Sequence, residues 1–158
     1  MNKLFKLAQR GYEIVVLSAN FLRSPLLLFL RVYFFWQLFQ DGQGKLNNLP
    51  KVSEYFASLG IPLPTLNAWI TGSIELVGSL LLIIGLATRP VALLIFGVMT
   101  VAYLTGDRDA VLQIFSDPDK FVKADPFPYF VMALVLFFAG PGWISVDKLL
   151  SRFFGKKE

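Results

Sequence analysis

Cysteine and histidine are both absent from the 158 residues, and each absence removes a class of chemistry. Without Cys the chain can form no disulfide, no thiolate nucleophile and no cysteine-ligated iron–sulfur cluster. Without His it has no histidine-ligated haem and none of the imidazole-rich zinc or copper sites. Met1, Met99 and Met132 are too scattered for a thioether copper site. Any redox role therefore needs a bound organic cofactor or a partner subunit. Charge is also scarce, at 16% of residues against 55% hydrophobic, and mean hydropathy is +0.59. A soluble domain of this length would lack the polar surface to cover itself. No small-residue cleavage site follows the first apolar run, so the N-terminus reads as retained.

What is present is a series of apolar runs. Unbroken runs, rather than alternation, argue for helices and against a barrel. The expected spans are about 25–46, 66–87, 91–105 and 127–144, giving an all-α integral membrane four-helix bundle over residues 25–150. Residues 1–24 carry Lys3, Lys6, Arg10 and Arg23 among apolar side chains and read as an amphipathic interfacial helix on cytoplasmic headgroups. Residues 151–158 read as a basic cytoplasmic tail. Lys3, Lys6, Arg10, Arg23, Arg89, Lys148, Arg152, Lys156 and Lys157 outnumber Lys45, Lys51, Arg108, Lys120 and Lys123 on the other face. The positive-inside rule then puts both termini in the cytoplasm of a bacterial inner membrane. The net charge of +4 needs no nucleic acid to explain it.

Two ions interrupt the runs. Glu75 stands in Leu66–Leu86 and Arg31 in Pro25–Phe39, each expensive at membrane depth unless it faces a partner. At about 1.5 Å per residue from the inner span ends, Arg31 lies roughly 10 Å deep and Glu75 roughly 18 Å. An Arg31–Glu75 pair is therefore feasible, and Gln37 is an alternative hydrogen-bond partner at nearly the depth of Glu75. Lys45, fourteen residues after Arg31, shares its helical face. Gly72 and Ser79 flank Glu75. Trp36 and Trp69 fit an interfacial aromatic belt, or could stack on a ligand ring. On the residues alone, the ions either pin two helices in register or line a polar recess for a quinone-like ring or a proton. The candidate cofactor-binding set is Glu75, Arg31, Gln37, Trp36, Trp69 and Lys45, with no metal ligands.

Three motifs in order resemble the DoxX family. Arg31 is followed by Gly42-Gln43-Gly44-Lys45-Leu46; Glu75-Leu76 leads into Gly85-Leu86-Ala87-Thr88-Arg89; and Gly140-Pro141-Gly142-Trp143-Ile144-Ser145-Val146-Asp147 closes the last span. A histidine common after the third span in short members is missing here, and the Gly106–Pro118 loop is longer. The resemblance implies a four-span inner-membrane protein, linked through the family's name to the small subunit of a thiosulfate:quinone oxidoreductase. It also implies redox partner proteins, soluble or membrane-bound. On this reading the chain is a redox-accessory protein, with quinone as cofactor and Glu75 and Arg31 holding it. It carries no independent catalytic constellation of its own. The alternative is a non-catalytic scaffold recruiting a soluble enzyme or an exported metal-binding peptide through Asp107–Pro126 or the basic tail. A homo-oligomer is compatible with both.

Overall fold

The computed structural model describes residues 3–154. Every regular element among them is helical: α1 (Lys3–Asn47), α2 (Leu49–Ser58), α3 (Pro64–Ile84), α4 (Thr88–Thr105), α5 (Arg108–Leu112), α6 (Pro118–Lys123), α7 (Phe127–Ala139) and α8 (Val146–Phe154). Hydrocarbon offers no water to backbone polar groups, and a helix satisfies its own. α1, α3 and α4 are long and apolar enough to cross a membrane, while α7 is apolar but shorter, at 13 residues. The chain is an all-α membrane helical bundle.

Small residues set the central contact. Gly42 of α1 lies so close to α3 that a Cβ there would stand 2.5 Å from the Leu76 amide nitrogen. Gly72 of α3 meets Leu46, and Gly85 meets Arg31. Residue numbers rise along α1 as they fall along α3, so the two helices run antiparallel. Without a hydrophobic force between helices in lipid, such close backbone approach supplies the packing energy. Gly78 then receives Ile95 and Val91 of α4. Phe35, Leu38, Leu82, Ile95, Met99, Met132 and Leu136 fill the core between α1, α3, α4 and α7.

One end of the bundle is tied by the segment between α7 and α8. The Asp147 carboxylate accepts from the Ala87 N–H at 2.7 Å and the Thr88 N–H at 2.9 Å, while the Asp147 N–H donates to the Gly85 carbonyl at 2.9 Å. Gly85 at φ 72° and Ala87 at φ 48° are both left-handed. That conformation disfavours alanine, and the Asp147 bonds hold it there. The Trp143 N–H donates to Ser24 Oγ at 3.0 Å, and Arg23 donates to the Ala139 carbonyl at 2.6 Å.

Several boundaries differ from those read in the sequence. α1 runs unbroken through Pro25, so residues 3–24 and the first span are one helix. α3 and α4 start at Pro64 and Thr88, because Pro suits a first turn and Asp147 caps α4. α7 ends at Ala139, where Gly140 turns to φ 71°. Two amphipathic helices lie outside the expected spans: α2 falls between the first two, and α8 runs from the end of the expected four-span domain into the tail expected at 151–158, whose residues 155–158 fall outside the described range.

The Gly42 contact makes a testable distinction. Gly42→Ala drives a methyl into the α3 backbone and should destabilise by about 1–3 kcal/mol. Gly44→Ala has nothing within 4 Å and should be neutral or stabilising by up to about 1 kcal/mol. Thermal unfolding in detergent separates the two; equal shifts would mean that α1 and α3 do not touch at Gly42.

Candidate functional site

The contact at Gly42 determines what happens one turn later. Residues three apart share a helix face, so Lys45 follows Gly42 onto α3 and its ammonium reaches Glu75. Nζ stands 2.5 Å from both carboxylate oxygens. Glu75 is 1% exposed. Its charge is thus met by a charge-assisted, two-oxygen contact of the stronger kind. The sequence-level expectation of an Arg31–Glu75 pair is corrected here. Arg31 packs at Gly85, ten residues and about 15 Å along α3 from Glu75, beyond the reach of its side chain.

Arg31 is 0% exposed and serves the opposite end. Nη2 donates to the Ile144 carbonyl at 2.6 Å, and Nε and Nη1 have no hydrogen-bond partner. The opposite charge it feels comes from Asp147. Arg31 is therefore a strut between α1 and the α7–α8 segment. A Cβ at Gly85 would collide with its guanidinium, which explains why the turn there needs glycine.

Around Glu75 and Lys45 lies a cavity of about 1190 Å3, walled by the C-terminal part of α1, α2, the first turns of α3, the end of α4 and the start of α7. Apolar walls come from Leu38, Phe56, Ile70, Val98 and Met99, and polar groups from Gln37, Asp41, Lys45, Thr71, Glu75 and Tyr129. The Tyr129 hydroxyl donates to Asp41 at 3.2 Å. Gln37 lines the cavity but its amide donates to the Tyr33 carbonyl at 3.4 Å, not to Glu75. Trp36 and Trp69 are both half-exposed and stand outside the cavity, Trp36 stacked on Phe39 with ring centroids 5.6 Å apart. Arg31 does not line it either. Of the six candidates, Glu75, Lys45 and Gln37 come together.

Sequence reasoning missed Asp41 and Tyr129. Asp41 carried a usable signal, since it precedes Lys45 by four residues and so shares its face. Nothing in the sequence linked Tyr129 to α1. Asp107 and Asp125 sit at the cavity's rim. Burial, and secondarily the Asp125 carboxylate, push the Asp107 carboxyl above the usual range. No cluster of potential metal ligands occurs among the described residues.

The pair and the rim each generate a prediction. Leaving one partner of a buried pair alone costs about 3–5 kcal/mol; Lys45 is 31% exposed, so the single variants Lys45→Met and Glu75→Gln should fall below that range. The double variant should recover most of the loss in a thermal-unfolding cycle, whereas additive losses would deny the pairing. At Asp107 the native state keeps a proton that the unfolded chain releases. Stability should therefore fall as pH rises from the ordinary aspartate value of about 3.9 through the raised one. Asp107→Asn should flatten that part of the pH–stability curve, and an unchanged slope would contradict it.

Neither the curated proteins nor the solved structures contain a significant match to the chain. A protein-family model described as DoxX matches residues 26–108, which is more than half of the sequence. The matched region holds Arg31, Gly42, Lys45, Glu75 and Gly85, the residues that build the α1–α3 contact and both its ion sites. The chain belongs to the DoxX family.

Proposed function

We propose that this protein is a redox-accessory subunit of a bacterial inner membrane, whose cavity receives a quinone headgroup and which works beside an oxidoreductase. On this reading α1, α3, α4 and α7 are the four spans and both termini are cytoplasmic. The observation that carries it is a buried acid–base pair, Glu75 with Lys45, opening into a roomy cavity with apolar walls. Pockets of this kind, apolar with a few convergent polar groups, suit a flat ring bearing carbonyls.

The polar groups fit such a ring. Lys45 has an ammonium proton beyond those directed at Glu75 to donate to a carbonyl oxygen, while the Tyr129 hydroxyl, its own proton given to Asp41, can accept from the hydroxyl of a reduced ring. Leu38, Val98 and Met99 would meet the ring faces. Glu75 keeps Lys45 oriented and, being able to take up a proton, would serve as the local proton holder. Arg31 plays no part in holding the ring, because it lies at the opposite end of the α1–α3 contact. A quinone, when bound, supplies the electron-accepting chemistry that a chain without Cys or His does not.

A scaffold reading has its own support. Leu112, at the end of α5, is 71% and Phe115, between α5 and α6, 96% exposed, an apolar feature of the sort that marks a protein contact. The two readings part cleanly. Protein extracted with native lipid should carry quinone, and Glu75→Gln should lower its occupancy at least tenfold (about 1.4 kcal/mol or more) while partner assembly persists. No quinone in the wild-type protein would overturn the first reading, and loss of the partner on Phe115→Ser would favour the second.

A further inference from the structure

Two helical segments at the Asp147 end bury almost nothing against the rest of the chain. α1 has 45 residues and so is about 67 Å long, roughly twice the ~30 Å of a bilayer's hydrocarbon. Its contact with the bundle begins at Arg23, which donates to the Ala139 carbonyl, and Ser24; from Leu7 to Leu22 every residue is exposed, Tyr12, Ile14, Val15, Leu17 and Phe21 among them. α8 behaves alike, with Leu149, Leu150 and Phe153 exposed. Both segments are amphipathic. In α8 those three side chains and Val146 share one face, while Lys148, Ser151 and Arg152 share the other. In the α1 arm, Ala8, Val15 and Leu22 fall on one face and Gln9, Glu13 and Asn20 on the opposite one. On the polar face Gln9 donates to Glu13 at 3.2 Å.

We infer that the α1 arm and α8 together form a collar lying on the anionic headgroup surface of the membrane that the bundle crosses. Three observations select a lipid surface over another occupant. Both segments leave the bundle at the same end, where Trp143 bonds Ser24 and Asp147 bonds the α3–α4 turn. The basic residues at that end, Arg10, Arg23, Arg89, Lys148 and Arg152, exceed Glu13 and Asp147 in number, and Asp147 is spent on capping α4. A basic amphipathic helix binds anionic interfaces by burying its apolar face to the level of the acyl chains. Finally, Pro25 lies where the arm departs. Its missing N–H frees the Phe21 carbonyl, which gives the helix a bending point between span and surface. The collar has a consequence for the cavity, whose mouth opens at the other end, on the leaflet facing away from these anionic headgroups.

The absence of cysteine makes the test direct. Single nitroxide labels are placed at Val15→Cys, Gln9→Cys, Leu149→Cys and Ser151→Cys in the full chain, reconstituted in vesicles containing anionic phosphatidylglycerol. Labels at 15 and 149 should contact oxygen dissolved in the acyl region, and those at 9 and 151 should contact an aqueous nickel chelate, with accessibility ratios differing by roughly threefold or more. In vesicles of phosphatidylcholine alone, the lipid contact at 15 should weaken, while that at 149, next to the Asp147 anchor, should weaken less. Equal aqueous access at 9 and 15 would overturn the collar. So would dipolar coupling between labels at 15 on two copies without lipid contact, which would assign the arm to a second copy of the chain.

Discussion

A carboxylate held between two apolar helices needs a counter-charge within reach, and here the backbone decides which base supplies it. Gly42 lets α1 touch α3 beside Glu75 and Leu76, and Lys45 is thereby delivered to the carboxylate one turn on. Move the helices apart by a methyl group and the ammonium loses its registration with Glu75. The ion pair and the glycine contact are therefore one device. The cavity lies beside this clamp, walled also by α2, α4 and α7.

The second buried ion solves a different problem. Arg31 holds the segment between α7 and α8 through the Ile144 carbonyl, and Asp147 in turn fixes the left-handed Ala87 and caps α4. Three sequence motifs thus converge on two places. The glycine-lysine motif and Glu75 build the cavity end; Arg31, the Gly85 turn and the Gly140–Asp147 segment build the other. A bundle of apolar helices with few polar contacts gains register from both, since generic apolar packing in lipid discriminates poorly between alternative offsets.

The sequence made the class of fold legible because membrane solvent imposes it: apolar runs must be helical, and glycine and proline mark their ends. It also pointed to Glu75 and Arg31 as ions needing partners, and placed Lys45 on the Arg31 face. It did not yield the pairing. Depth counted from span ends treats α1 and α3 as starting in one plane, whereas the offset between them is set by Gly42, Gly72 and Gly85, whose contacts are known only once the helices are docked. Tyr129 was invisible for the same reason, its link to Asp41 spanning 88 residues. α2 and α8 went unread because they are short, at 10 and 9 residues, and mix charged with apolar residues as loops do, although α8's apolar residues recur at helical spacing.

The central claim, that Lys45 answers to Glu75, is tested most directly by exchanging the charges. Lys45→Glu puts two carboxylates together and should prevent stable folding in detergent, as should Glu75→Lys with two ammonium groups. The exchanged double variant should regain a cooperative thermal transition within a few degrees, roughly 1 kcal/mol, of the parent. An exchanged protein no more stable than either single variant would contradict the pairing and the account of the cavity built on it.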